Sequence, residues 1–375
     1  MTRSTAPKTP RKRMDGEALT AILLLALTAF LILTVSILIF RSCSNQASPP
    51  ISDATTPHTP ITPPTQERTP IFSNGVLPSK PFFGERSATV SFPTTSQYII
   101  LTNASTGEVV ASLHSGTRFS PASMTKVMTL IVMCERLTEE DLNKTVTFTS
   151  AMYDYVRTGD YADSTNYGIE PNDEYKIKDL LYGIGMYSAS DCVLSVVLYL
   201  SESEEQFVGW MNEKVAELGL ANTHFDNPIG YESTENYTTA EDMSQIMAYA
   251  MQSDLIRSFL SKETHSSTAA GYNSVGNYVP SFPITFYSTL FGTHESSRMS
   301  SYEKHYGTPF QLQTAKLLAG KTGYLENGGV KNHCLVVYAK DIDSDNHYIL
   351  VVGGGTEPQY VTMKDIKAIL DTYVQ

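Results

Sequence analysis

The ten residues FSPASMTKVM, at positions 119–128, place Ser123 one helical turn before Lys126. Pro121 suits the first turn of a helix, and Ser120 is able to cap that turn. Ser123 would then lie where free backbone N–H groups and the helix dipole favour negative charge. Since residues three apart share a helix face, Lys126 is predicted to lie beside the Ser123 hydroxyl.

This pair has the chemistry of a nucleophile with its base. A serine hydroxyl attacks poorly at its ordinary pKa and needs a base within hydrogen-bond distance. A lysine serves if burial or a second cation keeps its amine neutral. The spacing alone is a weak signal, because Ser301 and Lys304 repeat it in a polar stretch without a helix start. An ordinary helix-start serine is the competing interpretation of Ser123.

Two further motifs strengthen the catalytic interpretation. In YSASDC, residues 187–192, Ser188 interrupts an apolar helical run, where a polar residue needs a reason. In AGKTGY, residues 319–324, Lys321 and the Thr322 hydroxyl offer a cation and a donor to a carboxylate, and Gly323 allows close approach of a ligand. Each motif also has a purely structural interpretation: Ser188 as a hydroxyl at a helix bend, and Lys-Thr-Gly as a surface turn. Their joint occurrence in this order favours a catalytic site.

The order Ser-x-x-Lys, Ser-x-Ser, Lys-Thr-Gly resembles the signature of penicillin-binding proteins and serine β-lactamases. Longer stretches resemble the D-alanyl-D-alanine carboxypeptidases among the low-molecular-weight penicillin-binding proteins. The resemblance covers about Ser96 to the C-terminus. It rests on LLYGIGMYSASDC (180–192), FVGWMNEKVAELGLANTHFDNPIGY (207–231), YTTAEDM (237–243) and GKTGYLENGG (320–329).

The resemblance implies a β-lactamase/transpeptidase-like α/β (α+β) fold. Its mainly antiparallel sheet would have about five strands, flanked by helices, with a helical subdomain beside it. The sequence pattern supports this sheet at both ends of the folded region. A hairpin pattern at 98–113 and two apolar runs, HCLVVYA and HYILVVGG, are typical of strands. Residues 262–315 are polar and aromatic, and their pattern assigns no element.

The resemblance also implies roles for residues in a serine-type D-Ala-D-Ala carboxypeptidase. Ser123 would attack the carbonyl between two D-alanines and form an acyl-enzyme, and Lys126 would take its proton. Ser188 would relay a proton to the leaving amine. The substrate would be a peptidoglycan stem peptide ending in D-Ala-D-Ala, and β-lactam antibiotics would be covalent inhibitors.

Binding roles follow from the same resemblance. Lys321 and Thr322, with Gly323, would bind the terminal carboxylate, and the backbone N–H groups of Ser123 and Tyr324 would form the oxyanion hole. Ser190 departs from the family pattern, which usually has Asn there. Its shorter side chain lacks the amide that would bridge toward Lys126 and the substrate.

The N-terminal region predicts a membrane anchor and a tether. Residues 1–17 form a basic cytoplasmic tail, and residues 18–40 are an uncharged apolar run long enough for a single transmembrane helix. A cleaved signal peptide is the alternative, but its apolar run would be shorter. Residues 41–92 are rich in Pro, Thr and Ser and predict a disordered linker. Residues 93–375 would form the extracytoplasmic carboxypeptidase domain at the membrane of a bacterial cell.

Composition excludes several other classes of function. The formal net charge of −12 argues against a nucleic-acid partner. The eight histidines show no metal-binding spacing, and the four cysteines, Cys43, Cys134, Cys192 and Cys334, form no Cys-x-x-Cys motif. We therefore expect no metal and no cofactor. Three of the cysteines read as small buried apolar residues, and Cys43 as an exposed thiol.

Two alternatives to the carboxypeptidase remain open from the sequence. A class A β-lactamase needs a glutamate that activates the deacylating water. EEDLN, residues 139–143, has the spacing of that motif, but it precedes Ser188 in the chain instead of following it. A non-enzymatic wall-binding or sensing protein on the same scaffold is the other alternative, motivated by Ser190 and the long tether.

Overall fold

The computed structural model describes residues 69–73, 75–159, 161–273, 275–327 and 329–374. The predicted cytoplasmic tail, the predicted transmembrane helix at 18–40 and most of the predicted linker lie outside these residues. Within the described residues, no helix combines the length and the apolar character that crossing a membrane requires.

Ten strands and nine α-helices make up the described chain. The strands are β1 (Phe82–Thr89), β2 (Tyr98–Asn103), β3 (Glu108–Leu113), β4 (Thr145–Thr147), β5 (Glu174–Lys176), β6 (Thr264–Tyr272), β7 (Tyr278–Tyr287), β8 (Ala315–Asn327), β9 (Val330–Asp341) and β10 (His347–Gly355). The helices are α1 (Lys126–Cys134), α2 (Ser150–Arg157), α3 (Ile177–Tyr182), α4 (Ser190–Leu200), α5 (Glu204–Leu218), α6 (Ala240–Ala250), α7 (Asp254–Ser261), α8 (Arg298–Tyr306) and α9 (Gln359–Tyr373).

The main sheet has six strands in the order β1-β3-β2-β10-β9-β8. The five strands from β3 to β8 pair antiparallel, in agreement with the predicted sheet of about five strands. N-terminal and C-terminal segments therefore close one sheet. The long β8–β9 hairpin at its edge carries the Lys-Thr-Gly motif.

Strand β1 differs from the sequence-based expectation, because it lies inside the predicted disordered linker and pairs parallel with β3. The Ser87 hydroxyl donates to the Val109 carbonyl at 2.5 Å, and the Val90 N–H donates to the Ser112 carbonyl at 2.9 Å. The composition averaged over 41–92 is rich in proline and hides this strand, because the prolines and threonines are densest before residue 71. The ordered chain therefore begins well before residue 93.

The core lies on both faces of the main sheet, as the alternation of side chains along a strand requires. In β2, Ile100 packs with α1 on one face, whereas Ile99 and Leu101 pack with α9 on the other. All nine residues of α1 are buried, so this helix is the centre of the helical side. A helix in that position holds its N-terminal turn rigidly against the sheet.

A second sheet has the order β4-β5-β6-β7, and its strands β6 and β7 lie in the region that the sequence left unassigned. β6 and β7 form a long antiparallel hairpin, and α8 follows it within the same unassigned region. β6, with the sequence THSSTAAGY, has few apolar residues and therefore no clear alternation. Pairing between strands, which sequence periodicity does not report, determines this sheet.

Candidate active site

Ser123 lies in a short 3₁₀ turn, Ala122–Thr125, that leads directly into α1. Ala122 has a φ of +48°, a left-handed conformation that is unfavourable for residues other than glycine. Pro121 precedes the turn as predicted, but the predicted cap by Ser120 does not form, because the turn has no side-chain cap. The turn therefore presents Ser123 through an irregular backbone, and not through a regular capped helix.

Lys126 contacts Ser123 as the spacing predicts. Its Nζ lies 3.0 Å from the Ser123 Oγ and donates a second hydrogen bond to the Ile229 carbonyl at 2.7 Å. The side chain is buried, and burial lowers the pKa of Lys126 to about 7, although the negative charge of Asp191 opposes this shift. A large fraction of Lys126 is consequently a neutral amine at physiological pH, the form that accepts a proton.

Ser188 is the residue at which an irregular helix ends. A π-helix over Gly183–Tyr187 terminates at Ser188, whose φ of +68° is left-handed. This kink turns the Ser188 hydroxyl toward β8, where the Lys321 Nζ donates to it at 2.9 Å. Helix irregularities of this kind are frequent at functional sites.

Lys321 is as deeply buried as Lys126. Burial, followed by the positive charges of Lys126 and Arg298, holds the pKa of Lys321 well below its usual value. Its Nζ also donates to the Thr322 carbonyl at 3.0 Å, and the Thr322 hydroxyl lies 2.7 Å from that of Thr289. The two buried lysines therefore form separate pairs with serines, Lys126 with Ser123 and Lys321 with Ser188.

Gly323 brings β8 against the nucleophile turn. A Cβ atom at this position would lie 3.0 Å from the Pro121 carbonyl oxygen and 3.1 Å from the Ala122 Cβ. Both neighbours are a rigid part of the turn, so a larger residue would push β8 away from Ser123. The absence of a side chain therefore sets the distance between the first and third motifs.

Ser190 begins α4 and is fully buried at the cavity wall. Its hydroxyl has no hydrogen-bond partner among the described residues. Its backbone N–H donates to the Thr165 carbonyl at 2.7 Å. The position thus keeps its backbone contact, while the side-chain amide expected from the resemblance is missing.

Arg298, which the sequence analysis did not identify, is a third buried cation at the site. Its Nη2 donates to the Gly323 carbonyl at 2.8 Å, whereas Nη1 has no partner in the described part of the chain. Burial lowers the pKa of Arg298 to about 10, so the guanidinium remains charged at neutral pH. Its surroundings, SSRMSS, carry no pattern that distinguishes it from a surface arginine.

One cavity of about 430 Å³ brings the predicted residues together. Lys321 is not among the lining residues, but its Nζ contacts Ser188, which is. Three distant segments therefore converge on one space. The predicted residues that line the cavity are Ser123, Lys126, Ser188, Ser190, Thr322, Gly323 and Tyr324.

The other residues whose spacing matches a motif do not line the cavity. Ser301 and Lys304 are on α8, outside the cavity lining. Glu139 precedes a 3₁₀ turn, Asp141–Asn143, that likewise does not line the cavity. Cys134, Cys192 and Cys334 are free and buried, as predicted, and Cys43 lies outside the described residues.

Comparison with known proteins gives one family. A family model described as D-alanyl-D-alanine carboxypeptidase matches residues 86–356. The D-alanyl-D-alanine carboxypeptidase DacF of Bacillus subtilis is 30% identical over 267 residues, which are 69% of this chain and 57% of DacF. DacC of Escherichia coli, another such carboxypeptidase, is 31% identical over 147 residues, or 39% of this chain and 36% of DacC. The chain spans about half the length of the curated relatives it matches, or less.

A solved structure shows the same fold. The DD-transpeptidase of Streptomyces K15 superposes with a TM-score of 0.59 at 24% identity, covering 76% of this chain and 99% of that one. This likeness confirms the predicted transpeptidase-like α/β fold.

Proposed function

The chain belongs to the D-alanyl-D-alanine carboxypeptidase family, and on that premise we propose that it is a serine-type carboxypeptidase that removes the terminal D-alanine from peptides ending in D-Ala-D-Ala. One observation carries the proposal: a lysine amine with a pKa of about 7 lies 3.0 Å from a serine hydroxyl that lines a cavity. A serine next to a buried lysine of depressed pKa has the arrangement of an activated nucleophile.

The reaction follows from the two lysine–serine pairs. The Ser123 Oγ attacks the carbonyl between the two D-alanines, and its proton passes to the Lys126 Nζ. The tetrahedral intermediate collapses when the C–N bond breaks, and the leaving amine takes the proton that Lys126 had accepted, relayed by Ser188, so that Lys126 is neutral again. Water then attacks the acyl-enzyme, gives up a proton to neutral Lys126, and releases the shortened peptide with the Ser123 hydroxyl restored.

Substrate recognition is proposed to use the cationic end of the cavity. Lys321 and Thr322 would bind the carboxylate of the terminal D-alanine, beside Gly323 at the strand edge. The free Nη1 of Arg298 adds a charged donor at the same end. The backbone N–H groups of Ser123 and Tyr324 would stabilise the oxyanion.

The biological setting is also part of the proposal. Bacterial peptidoglycan stem peptides would be the substrates, and β-lactam antibiotics would acylate Ser123. The apolar run at 18–40 would anchor the chain in the cell membrane, with the domain outside the cytoplasm. The relatives bearing the carboxypeptidase name support the substrate class.

A catalytically impaired wall-binding protein is the second candidate. The unpartnered Ser190 hydroxyl favours it, because the amide that would help to orient substrate is missing. The β-lactamase alternative has less support, since Glu139 is not among the residues that line the cavity.

Hydrolysis by the full-length chain tests the proposal. We expect release of D-alanine from a peptide ending in D-Ala-D-Ala, and covalent labelling by a fluorescent penicillin. Ser123→Ala should abolish both, whereas Ser301→Ala, at the other Ser-x-x-Lys, should retain both. Labelling without hydrolysis would favour the impaired protein, and labelling that survives in Ser123→Ala would refute the assigned nucleophile.

A further inference from the structure

Asp191, which directly follows Ser190 on α4, is a buried carboxylate with an unusual set of partners. It accepts hydrogen bonds from three consecutive backbone N–H groups, those of Tyr167 at 3.1 Å, Gly168 at 2.9 Å and Ile169 at 3.2 Å. Its side chain is fully excluded from solvent. A buried carboxylate is costly unless several donors satisfy it, so this site is built around a negative charge.

The segment that Asp191 holds is a wall of the cavity. Ser164 and Thr165 line the cavity immediately before the three bound N–H groups. The Asp191 N–H donates to the Asn166 Oδ1 at 3.1 Å, and the Ser190 N–H donates to the Thr165 carbonyl at 2.7 Å. The start of α4 and the wall therefore form one hydrogen-bonded unit around Asp191.

The charge of Asp191 also acts on the proposed base. Its negative charge raises the pKa of Lys126, in opposition to burial. Lys321, on β8, faces Lys126 from a neighbouring element, and Asp163, Glu232, Arg298, Glu326 and His333 line the same cavity. Burial is the main cause that raises the pKa values of Cys192, Tyr167 and Tyr175, and the charge of Asp191 adds to it.

We propose that Asp191 is a positioning residue that holds the 164–169 wall against Ser190 and places its negative charge near Lys126. This role rests on the proposed function, since it acts through Lys126 and the cavity wall. A carboxylate that only satisfied backbone donors would stabilise the fold without affecting the titration of Lys126. The two possibilities therefore differ in a pH profile.

The test compares Asp191→Asn with Asp179→Asn in the full-length chain. Asp179 is a matched control, because it is a buried carboxylate on α3 that binds His265 and Ser267 and is not among the residues that line the cavity. The measurement is the second-order rate constant for acylation by a fluorescent penicillin, from pH 5 to pH 9. Titration of Lys126 by ¹³C-lysine NMR supplies a second readout that needs no catalysis.

Removal of the Asp191 charge should shift two quantities to lower pH. One is the acid limb, the low-pH side of the rate profile on which the rate rises, and the other is the NMR midpoint, the pH at which half of Lys126 is protonated. The plateau rate should fall by about 10- to 100-fold, because the wall loses its alignment and the amine becomes a weaker base. Asp179→Asn should leave the acid limb and the NMR midpoint unchanged. An unmoved midpoint in Asp191→Asn would overturn the proposal.

Asp191→Glu covers the case in which Asp191→Asn does not fold. It keeps the charge but displaces the carboxylate by one methylene, so the acid limb should stay close to its original pH while the plateau falls. A plateau equal to that of the unaltered chain would overturn the positioning role. If the unaltered chain were not acylated at all, the proposed function would fail, and the NMR midpoints would still decide the role of Asp191.

Discussion

Lowering the pH from 8 to 6 should slow the acylation of Ser123 by a penicillin about tenfold. The reason is the pKa of Lys126, which burial lowers to about 7. With that pKa, the neutral fraction of Lys126 is about 0.9 at pH 8 and about 0.1 at pH 6. Since only the neutral amine accepts the serine proton, the rate should follow this fraction.

The shape of the rate–pH profile distinguishes a lysine of lowered pKa from a lysine with its ordinary pKa. A lysine with its ordinary pKa would give a rate that rises about tenfold for each pH unit through pH 9. A lysine with a pKa of about 7 gives a plateau above pH 8. His333, which also lines the cavity, has its pKa lowered to about 4 by burial and nearby cations, so it does not titrate in this range.

Stopped-flow fluorescence of the full-length chain with a fluorescent penicillin measures the rate constant at each pH. Lys126→Arg is the matched variant, because a guanidinium stays charged throughout the range and cannot act as the base. We expect its rate to be at least about 100-fold lower at every pH. A rate that still climbs about tenfold between pH 8 and pH 9, or one that is flat from pH 5 to pH 9, would refute the assignment of Lys126 as the base.

Four other changes have defined outcomes. Lys126→Met should raise the free energy of unfolding, measured in urea, by roughly 2–4 kcal/mol below pH 7. The unfolded chain holds this amine protonated there, and the lowered pKa of the folded chain means that burying the protonated amine is costly. This cost disappears above pH 10.5. Gly230→Ala should abolish penicillin labelling, since φ is +75° and the new Cβ would lie 1.9 Å from the Ala122 carbonyl oxygen. Ser190→Asn should raise the acylation rate about tenfold by supplying one charge-assisted hydrogen bond, measured by stopped flow. Asp365→Ala should lower the free energy of unfolding by about 3 kcal/mol, because this buried carboxylate accepts four hydrogen bonds from the chain just before β2.

Three of these changes have a matched control. Lys304→Met, at an exposed lysine of α8, should leave stability unchanged at every pH. Gly209→Ala, in open space on α5, should stabilise the chain slightly. Asp345→Ala, at an exposed carboxylate, should leave the urea midpoint unchanged. Labelling of Gly230→Ala at the normal rate, or an unchanged rate in Ser190→Asn, would contradict the geometry from which those effects were derived.

Local interactions allowed the sequence to predict the first pair. Ser123 and Lys126 are three residues apart at a helix start, and helix geometry alone brings such side chains together. The main sheet was also predictable at both ends, because β2, β9 and β10 each contain an apolar run. The hairpin β6–β7 was not, since β6 has few apolar residues and its register is set by pairing with β7.

Tertiary structure decided how the motifs meet and how their groups ionise. Lys321 reaches Ser188 across 133 residues of chain, and Arg298 joins them from a segment without a recognisable pattern. The pKa of Lys126 depends on burial among elements that are distant in sequence, and on the charge of Asp191. Sequence spacing specifies which neighbours a helix turn aligns, whereas desolvation and Coulomb interactions depend on everything that surrounds a group in space.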